Sequence, residues 1–232
     1  YESVIAAHPD GTFSWYLNLH HIVNDAMSTT VVLSAVDDAY SGRPVVVAAF
    51  YGDDCPSDDT AEIAARDHWT NRATAQRITR IYDNLDRIDA EAAQFTALSG
   101  DAFTEQLDDG LSGPYRLLSP GLSRLVFAVM STAIYLFRLS GTGAFSVGIL
   151  VNHRNRSTPD HIIGPMTEIF PVDLVINAED THTQLHKRVA AAVMTTLRHA
   201  HPGVHPVGGD GALVDILPDE FVPKSLLGQP VT

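Results

Sequence analysis

From Phe13 to His20 large apolar residues alternate with polar ones: Phe13, Trp15, Leu17 and Leu19 on one side, Ser14, Tyr16, Asn18 and His20 on the other. A period of two predicts a strand with one buried face. Pro9-Asp10-Gly11 just before it is a turn signal, so residues 3–20 are expected to form a hairpin. After His21 the spacing changes. Met27, Val31, Ala35 and Ala39 recur at four-residue steps and Ser41-Gly42 then Pro44 supply a stop, which predicts a helix over 28–40 with Asp25 close to its start. Residues 52–60 read as a polar linker ending in cap-like residues, and 61–84 as a helix carrying Ile63, Trp69, Ile78 and Tyr82. Between 86 and 120 only short elements are expected. A core helix follows over 122–139, ended by Ser140-Gly141-Thr142-Gly143. Next come a buried strand over 144–151, a polar loop over 152–160 and a strand over 170–176. Asp180 or Thr181 caps an amphipathic helix running to His199, with Leu185, Val189, Val193 and Leu197 facing inward and a basic end that suits a helix C-terminus. A short strand over 212–217 closes the series. Strands interleaved with long helices place the chain in the α/β class.

The 232 residues suffice for one substantial domain or two small lobes, and 45% apolar with 19% charged residues excludes a disordered chain. A single cysteine, Cys55, rules out an internal disulfide and a zinc framework. It lies between Asp54 and Pro56, where the neighbouring carboxylate disfavours the thiolate, so it is expected to be inert. A net charge of −13 argues against nucleic acid as a partner, because neutralising phosphates requires clustered Lys and Arg. The longest apolar stretch, Leu125 to Phe137, has 13 residues between Arg124 and Arg138. A membrane span needs about 20, so no membrane insertion is expected.

Chemistry concentrates in His20-His21-Ile22-Val23-Asn24-Asp25-Ala26-Met27-Ser28, where a strand ends and a helix begins. If strand register continues, His20 and His21 point to opposite sides. A neutral imidazole there can take a proton from an attacking amine or hydroxyl, assistance that contributes roughly 10²–10⁴-fold. Asp25 has no cation nearby in sequence, and a buried carboxylate without one is costly, so an arginine from elsewhere is expected to meet it. Other readings stay open at this point: two partly buried, satisfied imidazoles with Asp25 as a helix cap, or a metal site, since all three are ligand types although no second HxxxH or HxH cluster accompanies them. His153, His161, His182, His186 and the histidines of 199–205 read as surface or loop residues. The glycine-rich runs 141–143 and 208–211 precede no helix with a phosphate-binding lysine and read as loops.

The nine residues resemble the HHxxxDGxS element of the condensation-domain superfamily of nonribosomal peptide synthetases, carrier-dependent acyltransferases related in fold to chloramphenicol acetyltransferase. His20, His21, Asp25 and Ser28 match, and Ala26 stands where the pattern has glycine. Downstream, Ala65 to Trp69 resembles the family's helix with a terminal aromatic pair, and Leu125 to Gly148 its long core helix and following strand. Gly148 to Arg154 is similar to VGxxVxxR. Ile163 to Pro171 is similar to IGxFVNTLP with the FVNT core lost, and His201-Pro202-Gly203-Val204 loosely resembles HQDVPFE. Both motif histidines are present, unlike in heterocyclisation domains, and nothing in 90–150 is similar to the EGHGRE-like segment of epimerisation domains.

The resemblance implies a mixed α+β, two-lobed, chloramphenicol-acetyltransferase-like sandwich. Residues 1–68 would end an N-terminal lobe that bears the motif, and 69–232 would form the core of a C-terminal lobe, both incomplete relative to the family. It implies His21 as the catalytic residue, with His20, Asp25, Ser28 and Arg154 in support and Asp25 salt-bridged to Arg154. No tightly bound cofactor and no metal are implied; the substrate would ride on the phosphopantetheine arm of a carrier protein. Implied partners are acyl or peptidyl carrier proteins, neighbouring synthetase modules and a complementary N-terminal part of the domain, in the cytoplasm. Arg72, Arg77 and Arg80 would offer an acidic carrier a basic patch, although they read more simply as an ordinary solvated helix face. The expected function is condensation of a thioester-bound acyl or aminoacyl donor with an amine or hydroxyl; the alternative is a non-catalytic, condensation-like recruitment domain. The Gly-to-Ala change at 26 and the altered 165–170 stretch favour that alternative.

Overall fold

The computed structural model describes residues 1–46, 59–72, 113–117, 119–154, 161–204, 212–216, 225–226 and 229–230. Cys55, Arg77, Arg80, the continuation of the expected helix over 73–84 and the glycines 208–211 lie outside them. The chain groups into two compact units: residues 1–57, 152–168 and 217–232 in one, 58–151 and 169–216 in the other.

In the first unit β1 (Glu2–Ala7) pairs antiparallel with β2 (Phe13–Asn18), Ile5 opposite Trp15 and Ala7 opposite Phe13. The hairpin is the expected one, closed by Asp10, which accepts hydrogen bonds from the Thr12 amide and hydroxyl. Its expected buried face is not. Phe13 and Ile5 are each 71% exposed, and Trp15, Leu17 and Leu19 are only half-buried. Among the described residues no second layer covers the two strands, so alternation here fixes which side chains share a face without burying that face. α1 (Ala26–Tyr40) begins two residues earlier than the periodicity suggests, with Asp25 as its N-cap in extended backbone conformation. Ser28 is its single buried residue.

The second unit holds the apolar core. α3 (Pro120–Ser140) is capped by Ser119, which accepts from the Leu122 amide, and stops at Gly141, whose φ of 68° is the left-handed conformation that favours glycine. With 21 residues it is longer than the apolar run inside it, and by length and hydropathy alone it would suit a bilayer. The expectation that length excludes a span is therefore corrected. What places this helix in a protein core is its stripe of Val126, Val129, Met130, Ala133 and Leu136, all between 0% and 6% exposed and clustered with residues of the neighbouring strands and helices. Next to it, α4 (His182–His199) starts in a capping box made by Thr181 and Gln184 and buries Leu185, Val189 and Val193.

β4 (Thr167–Val175), β3 (Ala144–Asn152) and β5 (Leu213–Val214) form a three-stranded sheet in that order, β5 parallel to β3. The amide bonds Ile176 to Gly143 and His153 to Met166 at opposite ends require β3 and β4 to run antiparallel. Phe145, Val147, Ile149, Phe170 and Val172 are at most 1% exposed. α2 (Asp59–Arg72) adds Ala65 and Trp69, the indole donating to the His199 carbonyl at 2.8 Å. A short 3-10 turn, Gly113–Tyr115, and the strand pair β6 (Ser225–Leu226) and β7 (Gln229–Pro230) complete the described elements.

Phe145 and Phe170 are the largest wholly enclosed side chains among the described residues. Phe145→Ala should lower unfolding stability by about 3–5 kcal/mol through lost burial and the cavity left behind. Urea unfolding reads this as a lower midpoint at unchanged slope.

Candidate active site

Asp25 is 3% exposed, and the whole motif is organised around its carboxylate. The two oxygens divide the work. Oδ1 accepts from the Ser28 amide at 2.8 Å and the Ser28 hydroxyl at 2.7 Å, closing the first turn of α1. Oδ2 accepts from Arg154 Nη1 at 2.6 Å, the Met166 amide at 3.0 Å and Thr167 Oγ1 at 3.3 Å. The two simple readings of Asp25, helix cap and ion-pair partner, are thus both realised, one on each oxygen.

Burial acts most strongly on this carboxyl and pushes its pKa up. The bonds from Arg154, then the Ser28 amide and hydroxyl, then the Met166 amide, together outweigh burial and pull it down to about 2. A carboxylate held this way stays charged at any physiological pH.

Ser28, wholly buried, completes the clasp. Its Oγ lies 3.0 Å from both the Gly164 carbonyl and the Gly164 amide, and Arg154 Nη2 donates to it at 2.9 Å. Arg154 also reaches the Gly164 carbonyl at 3.2 Å, and its own amide donates to Asn152 Oδ1 at 2.9 Å. Every member of this network belongs to the first compact unit.

The two histidines differ in employment. β2 stops at Asn18, and the chain turns over 20–23 with the Val23 amide bonded to the His20 carbonyl. Strand register therefore does not persist through His20 and His21, and their facing follows from the turn. His20 Nδ1 accepts from the Ile22 amide at 3.1 Å, which braces the turn. His21 is exposed, and among the described residues its ring makes no hydrogen bond. An imidazole so placed keeps both nitrogens available to a bound molecule.

Several sequence readings are corrected. His186 is not a surface residue; it is 2% exposed and meets Tyr115 edge-on at 5.0 Å. His199 stacks on His68 at 4.0 Å. His153 is largely enclosed, its side chain 6% exposed and 3.3 Å from Glu168. Arg72 is no free basic residue, because it pairs with Asp173, which also accepts from Ser146 Oγ at 2.6 Å. Sequence reasoning missed Gly164, Met166 and Thr167 as members of the clasp. The signal is their closeness to Arg154 in the sequence, 10 to 13 positions on. Among the described residues no group of three metal-ligating side chains gathers.

No protein-family model and no curated protein matches the chain. Solved structures do. The first condensation domain of the calcium-dependent antibiotic synthetase, in complex with a substrate analogue, aligns at a TM-score of 0.63 and 18% identity, over 94% of this chain and 52% of that one. The complex of the X-domain and OxyB from teicoplanin biosynthesis aligns at 0.61 and 19%, over 89% and 48%. The SgcC5 protein from Streptomyces globisporus aligns at 0.60 and 16%, over 86% and 47%. At these identities the likeness is one of fold. The chain has the mixed α/β fold of condensation domains, as its motifs suggest, and spans about half the length of the structures it matches.

Two outcomes follow from the clasp. Arg154→Leu strands a buried carboxylate and should cost roughly 3–5 kcal/mol in unfolding stability. The folded chain holds Asp25 at about 2, below the ordinary 3.8, so the unfolded chain takes up the proton first and stability falls with acidification. The contribution is complete above about pH 4 and lost between there and pH 2, amounting to roughly 2 kcal/mol. In pH-stepped denaturation, the gap between the native chain and Asp25→Asn should close across that window.

Proposed function

We propose that this chain carries the active-site motif of a condensation-type acyltransferase, which joins an acyl or aminoacyl group held as a thioester to an amine or hydroxyl acceptor. The observation that supports this most is the contrast within the motif. Asp25 and Ser28 are buried and saturated by Arg154 and its ribbon, while His21, four residues from Asp25, is exposed and its ring makes no hydrogen bond among the described residues. A fully bonded support a few residues from an exposed imidazole is how a proton-transfer group is held without being consumed by internal bonds.

In the proposed reaction the acceptor's nitrogen or oxygen attacks the thioester carbonyl. The new C–N or C–O bond forms as the C–S bond breaks. The imidazole of His21 takes the acceptor's proton, or orients the nucleophile as its charge develops, and that same proton passes to the departing sulfur, which leaves as the thiol. No acyl-enzyme forms in this scheme, since the motif's hydroxyl, Ser28, is enclosed and bonded on all sides. His20 keeps the turn in shape, and Arg154 with Asp25 keeps the turn attached to the ribbon. The donor is carried on the phosphopantetheine arm of an acyl or peptidyl carrier protein. Carrier domains and neighbouring synthetase modules are thus the partners, in a cytoplasmic assembly of nonribosomal peptide or related natural-product biosynthesis. Arg72, being committed to Asp173, plays no part in carrier docking in this reading.

A second reading has its own support. One matching structure is a complex of an X-domain with OxyB, a fold of this kind seated against another protein. The chain would then recruit a partner, and His21 would be chemically idle.

The deciding measurement is turnover with carrier-loaded donor and a soluble acceptor. His21→Ala should lower kcat by about 10²–10⁴-fold. Because His21 is exposed, the melting temperature should stay unchanged. Turnover equal to that of the native chain removes the catalytic reading and leaves recruitment.

A further inference from the structure

The ribbon that delivers Arg154 has a second face. β3 and β4 make their last amide bond where His153 donates to the Met166 carbonyl at 2.9 Å. Side chains alternate along each strand, and residues directly opposite share a face. With 153 opposite 166, Arg154 and Thr167 fall on one side, and both bond Asp25 there. His153 and Glu168 fall on the other, where Nε2 and Oε2 come within 3.3 Å. The side chains are 6% and 19% exposed, so this contact is enclosed rather than a solvated surface pair. Glu168 also stands in the 166–169 stretch where the chain departs from the FVNT pattern.

Three donors converge on the single atom Asp25 Oδ2: Arg154 Nη1 from the outgoing strand, the Met166 amide and Thr167 Oγ1 from the returning one. Their convergence depends on the spacing of the two strands just past their last amide bond. Splaying the ribbon there would carry Arg154 away from Met166 and Thr167, and one oxygen could not follow both. A contact between 153 and 168 bridges the strands at that point, from the opposite face.

We infer that His153 and Glu168 are a positioning pair that holds the end of the β3–β4 ribbon closed, so that Arg154, Met166 and Thr167 meet on Asp25. Only the last link, from the clasp to chemistry at His21, rests on the proposed acyltransferase reading. The link from the pair to Asp25 is independent of any activity.

The test follows the Asp25 carboxyl by carbon-detected NMR titration of the chain. Glu168→Gln keeps the shape of the side chain and removes its charge; His153→Ala removes the partner. Each should raise the Asp25 midpoint by about one unit or more, toward the ordinary carboxylate value, as the Arg154 bond lengthens. The double variant should raise it no further, since the two residues act as one unit. Val147→Ala, a destabilising change elsewhere in β3, should leave the midpoint where it is in the unmodified chain. That comparison separates positioning from a general loss of stability. If both single variants fold and the Asp25 midpoint does not move, the inference fails. Should His153→Ala fail to fold, Glu168→Gln alone decides. A raised midpoint in Glu168→Gln together with full turnover in His21→Ala would keep the pair and discard the catalytic reading. An unmoved midpoint together with lost turnover in His21→Ala would do the reverse.

Discussion

A carboxylate that is almost wholly enclosed needs a counter-charge and a full set of donors, and in this chain Asp25 finds them far along the sequence. Arg154 lies 129 positions away and Met166 lies 141 away. An unpaired charge in such a place would neutralise itself or destabilise the fold by several kcal/mol. The motif can therefore take its shape only when the ribbon of 152–154 and 166–168 is in place. α1 contributes little burial of its own: Ser28 is its single buried residue, and it is a clasp member. The start of this helix is held by polar bonds more than by apolar packing.

The second compact unit is built the other way. Its core is apolar, with α3, α4 and the sheet contributing residues at or near complete burial. Its partly buried charges, Arg72 and Asp173, are joined to Ser146 and lie beside Trp69, whose ring centre is 5.4 Å from the Arg72 guanidinium carbon. The two units illustrate two routes to a defined geometry. Apolar burial is non-directional and stabilises by area. A saturated polar network adds direction, which is what a site needs.

What could be read in advance followed from how local each signal is. α3 is legible at its end, because Gly141 after Ser140 acts on neighbouring backbone, whereas its start lies two residues before the expected one, at a Ser119 cap and Pro120 that the apolar pattern does not mark. α4 was legible through Thr181 and its stripe of Leu185, Val189 and Val193. β4 was placed three residues late, since Thr167 and Glu168 carry no apolar signal; their side chains belong to polar contacts of the ribbon. The hairpin's pairing was legible but its burial was not, because alternation reports which residues share a face and not what lies against it. The Asp25–Arg154 pair came from motif resemblance, whereas the His153–Glu168 contact needed the register of β3 against β4. No spacing within one segment encodes that register.

The enclosure of Ser28 has a pharmacological side. Electrophiles that disable acyl-transferring enzymes by capturing an activated hydroxyl, such as sulfonyl fluorides and fluorophosphonates, require an oxygen they can approach with a lone pair to offer. The Ser28 hydroxyl, wholly buried and in contact with Asp25, Arg154 and both backbone groups of Gly164, offers neither. Insensitivity of this motif to such warheads is built into its hydrogen bonding. Selective reagents for it would have to be aimed at imidazole nitrogen.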